Sequence, residues 1–257
     1  MTVRPLNILL TGAGSGLGRG LARCFAAHDH SLILTDVNTD ALTQTVQALG
    51  EHAGQVSTHK LDVTSGEQIA ALIESLGAGK IDVLINNAGL QHVSPVGEFP
   101  EERWDLLIDV MLKGSFLMTR ALVPVMRKHG FGRIINIGSI HSLIASPFKS
   151  AYTAAKHGLL GLSKVVALEC ASGDITVNTI CPAYVRTPLV DAQIGAQARA
   201  HGLSEQEVID KIMLAPMPKK AFITIEEVAA TAEFLMSHEA RNITGQALVL
   251  DGGWTIQ

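Results

Sequence analysis

Tyr152 and Lys156 stand four residues apart in a stretch with a helical apolar period, so the two side chains share one helix face. A free phenol titrates near pH 10 and is a weak base at neutral pH. An ammonium one turn away favours the phenolate and is expected to lower that value. Such a pair can take the proton from an alcohol as a hydride leaves its carbon. Ser139, thirteen residues before Tyr152 and at the end of an apolar run, offers a hydroxyl to the same oxygen. The chain holds only two tyrosines, so tyrosine abundance does not explain the pairing.

A second cluster lies near the start. Thr11-Gly12-Ala13-Gly14-Ser15-Gly16-Leu17-Gly18 follows a short apolar run and leads into a helical pattern. Glycines in that context allow a tight turn and close backbone approach to a pyrophosphate, with the helix N-terminus supplying free N–H groups. Asp36 ends the next apolar run. A carboxylate there can accept both ribose hydroxyls of an adenosine and would repel a 2′-phosphate, which points to NAD rather than NADP. The competing reading makes Asp36 a cap for the helix beginning near Asn38.

The elements that must position these groups alternate. Leu6–Leu10, Leu32–Thr35, Val56–Leu61, Ile81–Ile85, Arg133–Ile137, Ile175–Ile180 and Ala247–Leu250 read as strands, several of them apolar throughout as strands covered on both faces are. Helical patterns run near 17–28, 39–51, 66–77, 101–128, 150–172 and 225–237. Capping-box spacing begins at Ser65, Ser204 and Thr224. The alternation predicts an α/β fold, a doubly wound, seven-stranded parallel sheet in one domain spanning 1–257. Two short helices between about Pro188 and Ile223 break the rhythm after a strand's C-terminal end, where ligands bind in such sheets. They read as a lid, the alternative being a packing extension.

Composition narrows the function. Hydrophobic residues are 47% of the 257 and charged residues 17%, so a large core is available and disorder is excluded. A net charge of −4 with no basic run argues against nucleic acid as a partner. Cys24, Cys170 and Cys181 are widely spaced, which implies neither a disulfide framework nor a metal site and fits a cytoplasmic location. No stretch is long and apolar enough for a membrane span or a signal peptide.

The chain resembles the short-chain dehydrogenases/reductases along essentially its whole length. The resemblance is carried by the glycine turn at 11–18, Asp62-Val63, Asn86-Asn87-Ala88-Gly89, Ser139, Tyr152-x-x-x-Lys156, Pro182 with Thr187-Pro188, and Asp251-Gly252-Gly253. Within that family it is most similar to the bacterial D-3-hydroxybutyrate dehydrogenases, through Gln91-His92, Ile140-His141, Ala145–Tyr152 and Asp251–Thr255. The resemblance implies Ser139, Tyr152 and Lys156 as the catalytic set. It implies a dinucleotide held by Gly12, Ser15, Gly16, Leu17, Gly18, Asp36, Asp62, Val63, Asn87, Ala88, Gly89, Tyr152, Lys156, Val185 and Thr187. It assigns Gln91, His141, Lys149 and Gln193, with Ser139 and Tyr152, to a small hydroxy acid, Lys149 supplying a charge and His141 a donor or a partial charge. His92 has the weaker case. The implied activity is NAD-dependent oxidation of D-3-hydroxybutyrate to acetoacetate, and the implied assembly a homotetramer, which the shortage of charged residues also favours. A 3-oxoacyl thioester reductase, a sugar or polyol dehydrogenase, and a non-catalytic dinucleotide-binding protein are the competing readings.

Two positions depart from the family. Met111 stands where members carry an Asn that helps hold a water linking the lysine to solvent, and a thioether cannot replace that amide. The Met111 carbonyl remains able to hold such a water if the helix is locally distorted. Ala183 replaces a frequent Gly, which matters only if that backbone needs a positive φ.

Overall fold

The strands expected to be apolar throughout lie at the centre of the molecule. The computed structural model describes residues 4–77 and 81–256, so the first three residues of the N-terminal segment lie outside the described residues. Strands β1 (Asn7–Thr11), β2 (Ser31–Asp36), β3 (Val56–Lys60), β4 (Val83–Asn86), β5 (Phe131–Ile137), β6 (Asp174–Pro182) and β7 (Ala247–Leu250) form one sheet. All pairings are parallel, in the order β3-β2-β1-β4-β5-β6-β7.

Alternate residues of β1 feed two cores. Ile8 and Leu10 pack with Leu21, Phe25, Leu42, Val228 and Leu235 from α1 (Gly16–Ala27), α2 (Thr39–Leu49) and, near the C-terminus, Ile225–Met236. Leu9 faces the other way, against Ile69 and Leu72 of α3 (Gly66–Leu76) and Met118 and Leu122 from Gly114–His129. Each such fully buried aliphatic side chain contributes about 1.5–3 kcal/mol.

The expected boundaries fall within two residues of those observed for the strands and for five helices. The sixth helix is corrected. In place of one helix over 101–128, α4 (Glu101–Ile108) passes through a π-helical turn, Asp109–Lys113, into α5 (Gly114–His129). The turn centres on Met111. α6 (Ser150–Cys170) then carries Tyr152 and Lys156. Two further helices, α7 (Pro188–His201) and α8 (Glu205–Val208), lie in the expected insertion, and a second π-turn, Ile209–Met213, follows. Val190, Ile194, Val208 and Met213 give the insertion its own small core. The pairing of Val185 with Ile223 closes its base. α9 (Ile225–Met236) completes the helices. The boxes at Ser204 and Thr224 form in full. Ser65 caps Gln68 N–H, whereas the Gln68 amide oxygen accepts from Asp62 N–H instead.

The order of strands switches direction between β1 and β4, and their C-terminal ends are clamped together. Asn87 donates from its side chain to the carbonyls of Thr11 and Gly12, both at 3.0 Å. The backbone N–H groups of Asn87 and Ala88 donate to Thr11 Oγ1 at 3.0 and 3.1 Å. The turn that follows β1 is therefore held against the chain that follows β4. A Cβ on Gly18 would lie 2.1 Å from the Gly12 carbonyl oxygen, and Gly12 itself has φ +66°. We expect Gly18→Ala to cost at least about 2 kcal/mol, the penalty of an overpacked site that backbone cannot relieve. Urea unfolding checks this, and a parental midpoint would contradict it.

Candidate active site

A cleft of about 410 Å³ opens at the C-terminal ends of the strands, on the switch point between β1 and β4. Its walls hold most of the residues expected from the sequence. The glycine turn contributes Gly12, Ser15, Gly16, Leu17 and Gly18, β2 contributes Asp36, and the chain after β4 contributes Asn87, Gly89 and Gln91. Ser139, His141, Lys149, Tyr152 and Lys156 line the opposite wall, and Val185, Thr187 and Gln193 close it from the side of α7. Asp62, Val63 and Ala88 do not line it. Asp62 accepts from Thr64 N–H and Oγ1, Val63 is in the core, and Ala88 belongs to the β1–β4 clamp. His92 stacks edge-on against Phe99.

Asp36 does not cap α2; Asn38 does, its side chain accepting from Ala41 N–H. The Asp36 carboxylate instead accepts from Gly14 N–H at 2.9 Å and Asn38 N–H at 3.0 Å, which fixes it at the cleft edge. Arg19 donates to the Gly14 carbonyl at 2.6 Å, to Thr45 Oγ1 at 3.1 Å and to Gln44. The close-packed glycine turn and this anchored carboxylate fit a nicotinamide dinucleotide.

Lys156 is almost fully buried and donates to the Ile137 carbonyl at 2.6 Å. Burial pushes its ammonium down to about 8. The expectation that Lys156 lowers the Tyr152 phenol is not met. Burial pushes Tyr152 above its ordinary value, and the opposing pull comes from the Ser139 hydroxyl. The lysine nitrogen is turned to Ile137, 5.7 Å from the centre of the Tyr152 ring.

Ser139 caps a single turn at Ile140–Ser142, accepting from His141 N–H at 3.2 Å. The His141 ring meets Ser139 Oγ at 3.3 Å and Ser146 Oγ at 2.9 Å, and lies edge-on to Tyr152. Burial first, and Lys149 and His157 next, push His141 down to about 4. At neutral pH it is therefore a neutral ring, and its expected partial charge falls away. Lys149 sits 5.8 Å from the Tyr184 ring centre, its ammonium lowered by burial. Among the described residues no carboxylate lies within 4.0 Å of it. Gln91 Oε1 is buried and lacks a hydrogen-bond partner.

Met111 is buried, and its thioether reaches the cleft beside Gly89. The helix is distorted here into a π-turn, the condition under which the Met111 carbonyl could serve, and that carbonyl accepts from Ser115 Oγ at 2.8 Å. Ala183 does not have a positive φ, so its replacement of glycine costs nothing. Tyr184, Val190 and Ile140 also line the cleft and were not singled out in the sequence. Apolar residues just past strand ends resemble core there, and only Tyr184, the second tyrosine, stood apart by type.

A family model described as enoyl-(acyl carrier protein) reductase matches residues 12–255. The chain belongs to the short-chain dehydrogenase/reductase family of oxidoreductases. It is 46% identical to a D-beta-hydroxybutyrate dehydrogenase of Rhizobium meliloti (strain 1021), covering 97% of this chain and 98% of that one. It is 39% identical to a D-beta-hydroxybutyrate dehydrogenase of Cupriavidus necator (strain H16), covering 97% of each. An actinorhodin polyketide ketoreductase solved with NADPH superposes with a TM-score of 0.92 at 30% identity, covering 100% of both chains.

The His141 environment makes a stability prediction. Its folded value lies below the ordinary 6.5, so between about pH 6.5 and 4 the unfolded chain binds the proton more readily. The stability tied to the neutral ring is complete above that window. It is lost as pH falls through it, by about 3 kcal/mol at 1.36 kcal/mol per pH unit. We expect His141→Gln to remove about that much of the acid-side loss of stability seen in urea unfolding; an unchanged loss would contradict the assignment.

Proposed function

We propose that the chain oxidises D-3-hydroxybutyrate to acetoacetate with NAD. The observation that carries this reading is the Lys149 ammonium, lining the cleft with no carboxylate partner among the described residues. A half-buried cation in that position is complemented by an anionic substrate. The names of the two bacterial relatives agree. A thioester substrate would leave Lys149 without its partner, which disfavours the ketoreductase-like alternative.

When bound, the dinucleotide supplies the hydride acceptor. Gly12, Ser15, Gly16, Leu17 and Gly18 would hold its phosphates, and Asp36 its adenosine ribose. Asn87, Gly89, Val185 and Thr187 would line its nicotinamide half, and the resemblance also gives Asp62, Val63 and Ala88 to the dinucleotide. Asp36, with Arg19 engaged elsewhere, favours NAD over NADP.

Lys149 holds the substrate carboxylate, with the amides of Gln91 and Gln193 and the neutral His141 ring as further partners. Ser139 Oγ donates to the substrate oxygen. Tyr152 Oη takes the hydroxyl proton as general base, with the Ser139 hydroxyl favouring its phenolate against burial. The proton then passes to solvent through water held at the Met111 carbonyl, which has a second lone pair beside the one facing Ser115.

The same reading makes the 188–223 insertion a lid over the bound substrate. It makes the protein a cytoplasmic homotetramer, with Trp104, Phe116, Val165 and Leu168 as apolar side chains left exposed on α4, α5 and α6.

Lys149→Ala tests the carboxylate site. Loss of a charge-assisted contact is worth about 1.5–3 kcal/mol, so kcat/KM for 3-hydroxybutyrate should fall about ten- to a hundredfold. NAD binding should be unchanged, and an unaffected kcat/KM would remove Lys149 from the site. A second measurement concerns the relay. Met111→Asn should change kcat by less than about tenfold, because a backbone carbonyl serves the relay. An inactive parent restored by Met111→Asn would overturn that route and favour a binding protein.

A further inference from the structure

Among the described residues, three other than glycine have left-handed backbone: Asp29, Phe148 and Lys220. Aspartate tolerates that region through its short polar side chain; a bulky aromatic does not. Phe148 has φ +68°, and its ring is 56% exposed, so burial of the ring does not offset the strain. The reason for the conformation lies in its neighbours.

The segment is held at three points. Ser146 Oγ meets His141 Nε2 at 2.9 Å. The Phe148 carbonyl accepts from Ser94 N–H at 3.0 Å, which ties the segment to the loop that carries Gln91. Lys149 then opens α6: its carbonyl accepts from Thr153 N–H at 2.9 Å while its ammonium lines the cleft near Tyr184. Pro147, with φ set by its ring, leaves residue 148 as the place where the chain changes direction. An extended or right-handed residue there would rotate the carbonyl away from Ser94 and redirect the Cα–Cβ bond of Lys149.

We infer that Phe148 is a positioning residue: its left-handed backbone aims the Lys149 ammonium into the cleft and couples it to the Gln91 loop. The inference rests on the reading of Lys149 as the carboxylate anchor. Backbone, not the phenyl ring, is the active feature, and that separates the substitutions by type. Valine, β-branched, is poorly tolerated in the left-handed region, alanine less so, and asparagine and glycine adopt it readily.

Steady-state kinetics with 3-hydroxybutyrate and NAD on the full chain test this. Phe148→Val is expected to raise KM for the hydroxy acid by at least about tenfold, with kcat and KM for NAD nearly unchanged. Phe148→Ala should show a smaller rise, and Phe148→Asn and Phe148→Gly should stay within about threefold of the parent. If Phe148→Val fails to fold, the order Ala above Asn and Gly carries the test. Because Phe148 acts through Lys149, adding Phe148→Val to Lys149→Ala should raise KM no further.

A parental KM in both Phe148→Val and Phe148→Ala would overturn the inference. Equal impairment of all four variants would overturn it too, since the ring would then be the feature in use. So would additive effects in the double variant. An enzyme that needs Lys149 but ignores Phe148→Val removes this inference alone, whereas a Lys149→Ala enzyme with parental kinetics removes the carboxylate anchor and this inference with it.

Discussion

A buried ammonium organises the site. Lys156 enters the interior almost completely, where an uncompensated charge would cost several kcal/mol. Its hydrogen bond to the Ile137 carbonyl, the last residue of β5, therefore does two things. It compensates the charge, and it clamps α6 to the end of the strand. Everything reactive is measured from that clamp. Ser139 lies two residues beyond Ile137, Tyr152 one helical turn before Lys156, and Lys149 at the cap of the same helix. The buried cation thus fixes the geometry of the site.

Beneath the clamp, a chain of polar side chains crosses the sheet. Asn86 of β4 donates to Asn136 of β5, Asn136 to Ser163 of α6, and Ser163 meets Thr179 of β6, each at 2.8–2.9 Å. These groups are buried and pair with one another, only the Asn86 Oδ1 among them being left without a partner. They hold β4, β5, β6 and α6 in one register just below the residues of the cleft. Two relaxations from regularity complete the wall: the π-turn that presents Met111, and the left-handed turn at Phe148. Departures of this kind gather where a wall must present groups rather than merely pack.

Most of the architecture was legible in the chain. Apolar strands, caps at Ser204 and Thr224 and the glycine turn after β1 are local features, and local features leave patterns at fixed spacing. What spacing does not encode is tertiary. The helix over 101–128 has no sequence break at 109–113, because a π-turn adds one residue to a turn without needing a glycine or a proline. The rise in the Tyr152 value was missed because burial outweighs its neighbours, and burial is a property of the assembled fold. The neutrality of His141 has the same origin.

The central claim is that this cleft pairs a hydride-transfer centre with a socket for a small carboxylate. NADH formation followed at 340 nm tests it most directly, across D- and L-hydroxy acids, the methyl ester of 3-hydroxybutyrate and a 3-hydroxyacyl thioester, each with NAD and with NADP. The account predicts turnover of D-3-hydroxybutyrate with NAD, with both esters far behind and NADP at least about tenfold poorer. Turnover of the thioester with NADP, and none of any free hydroxy acid, would contradict it.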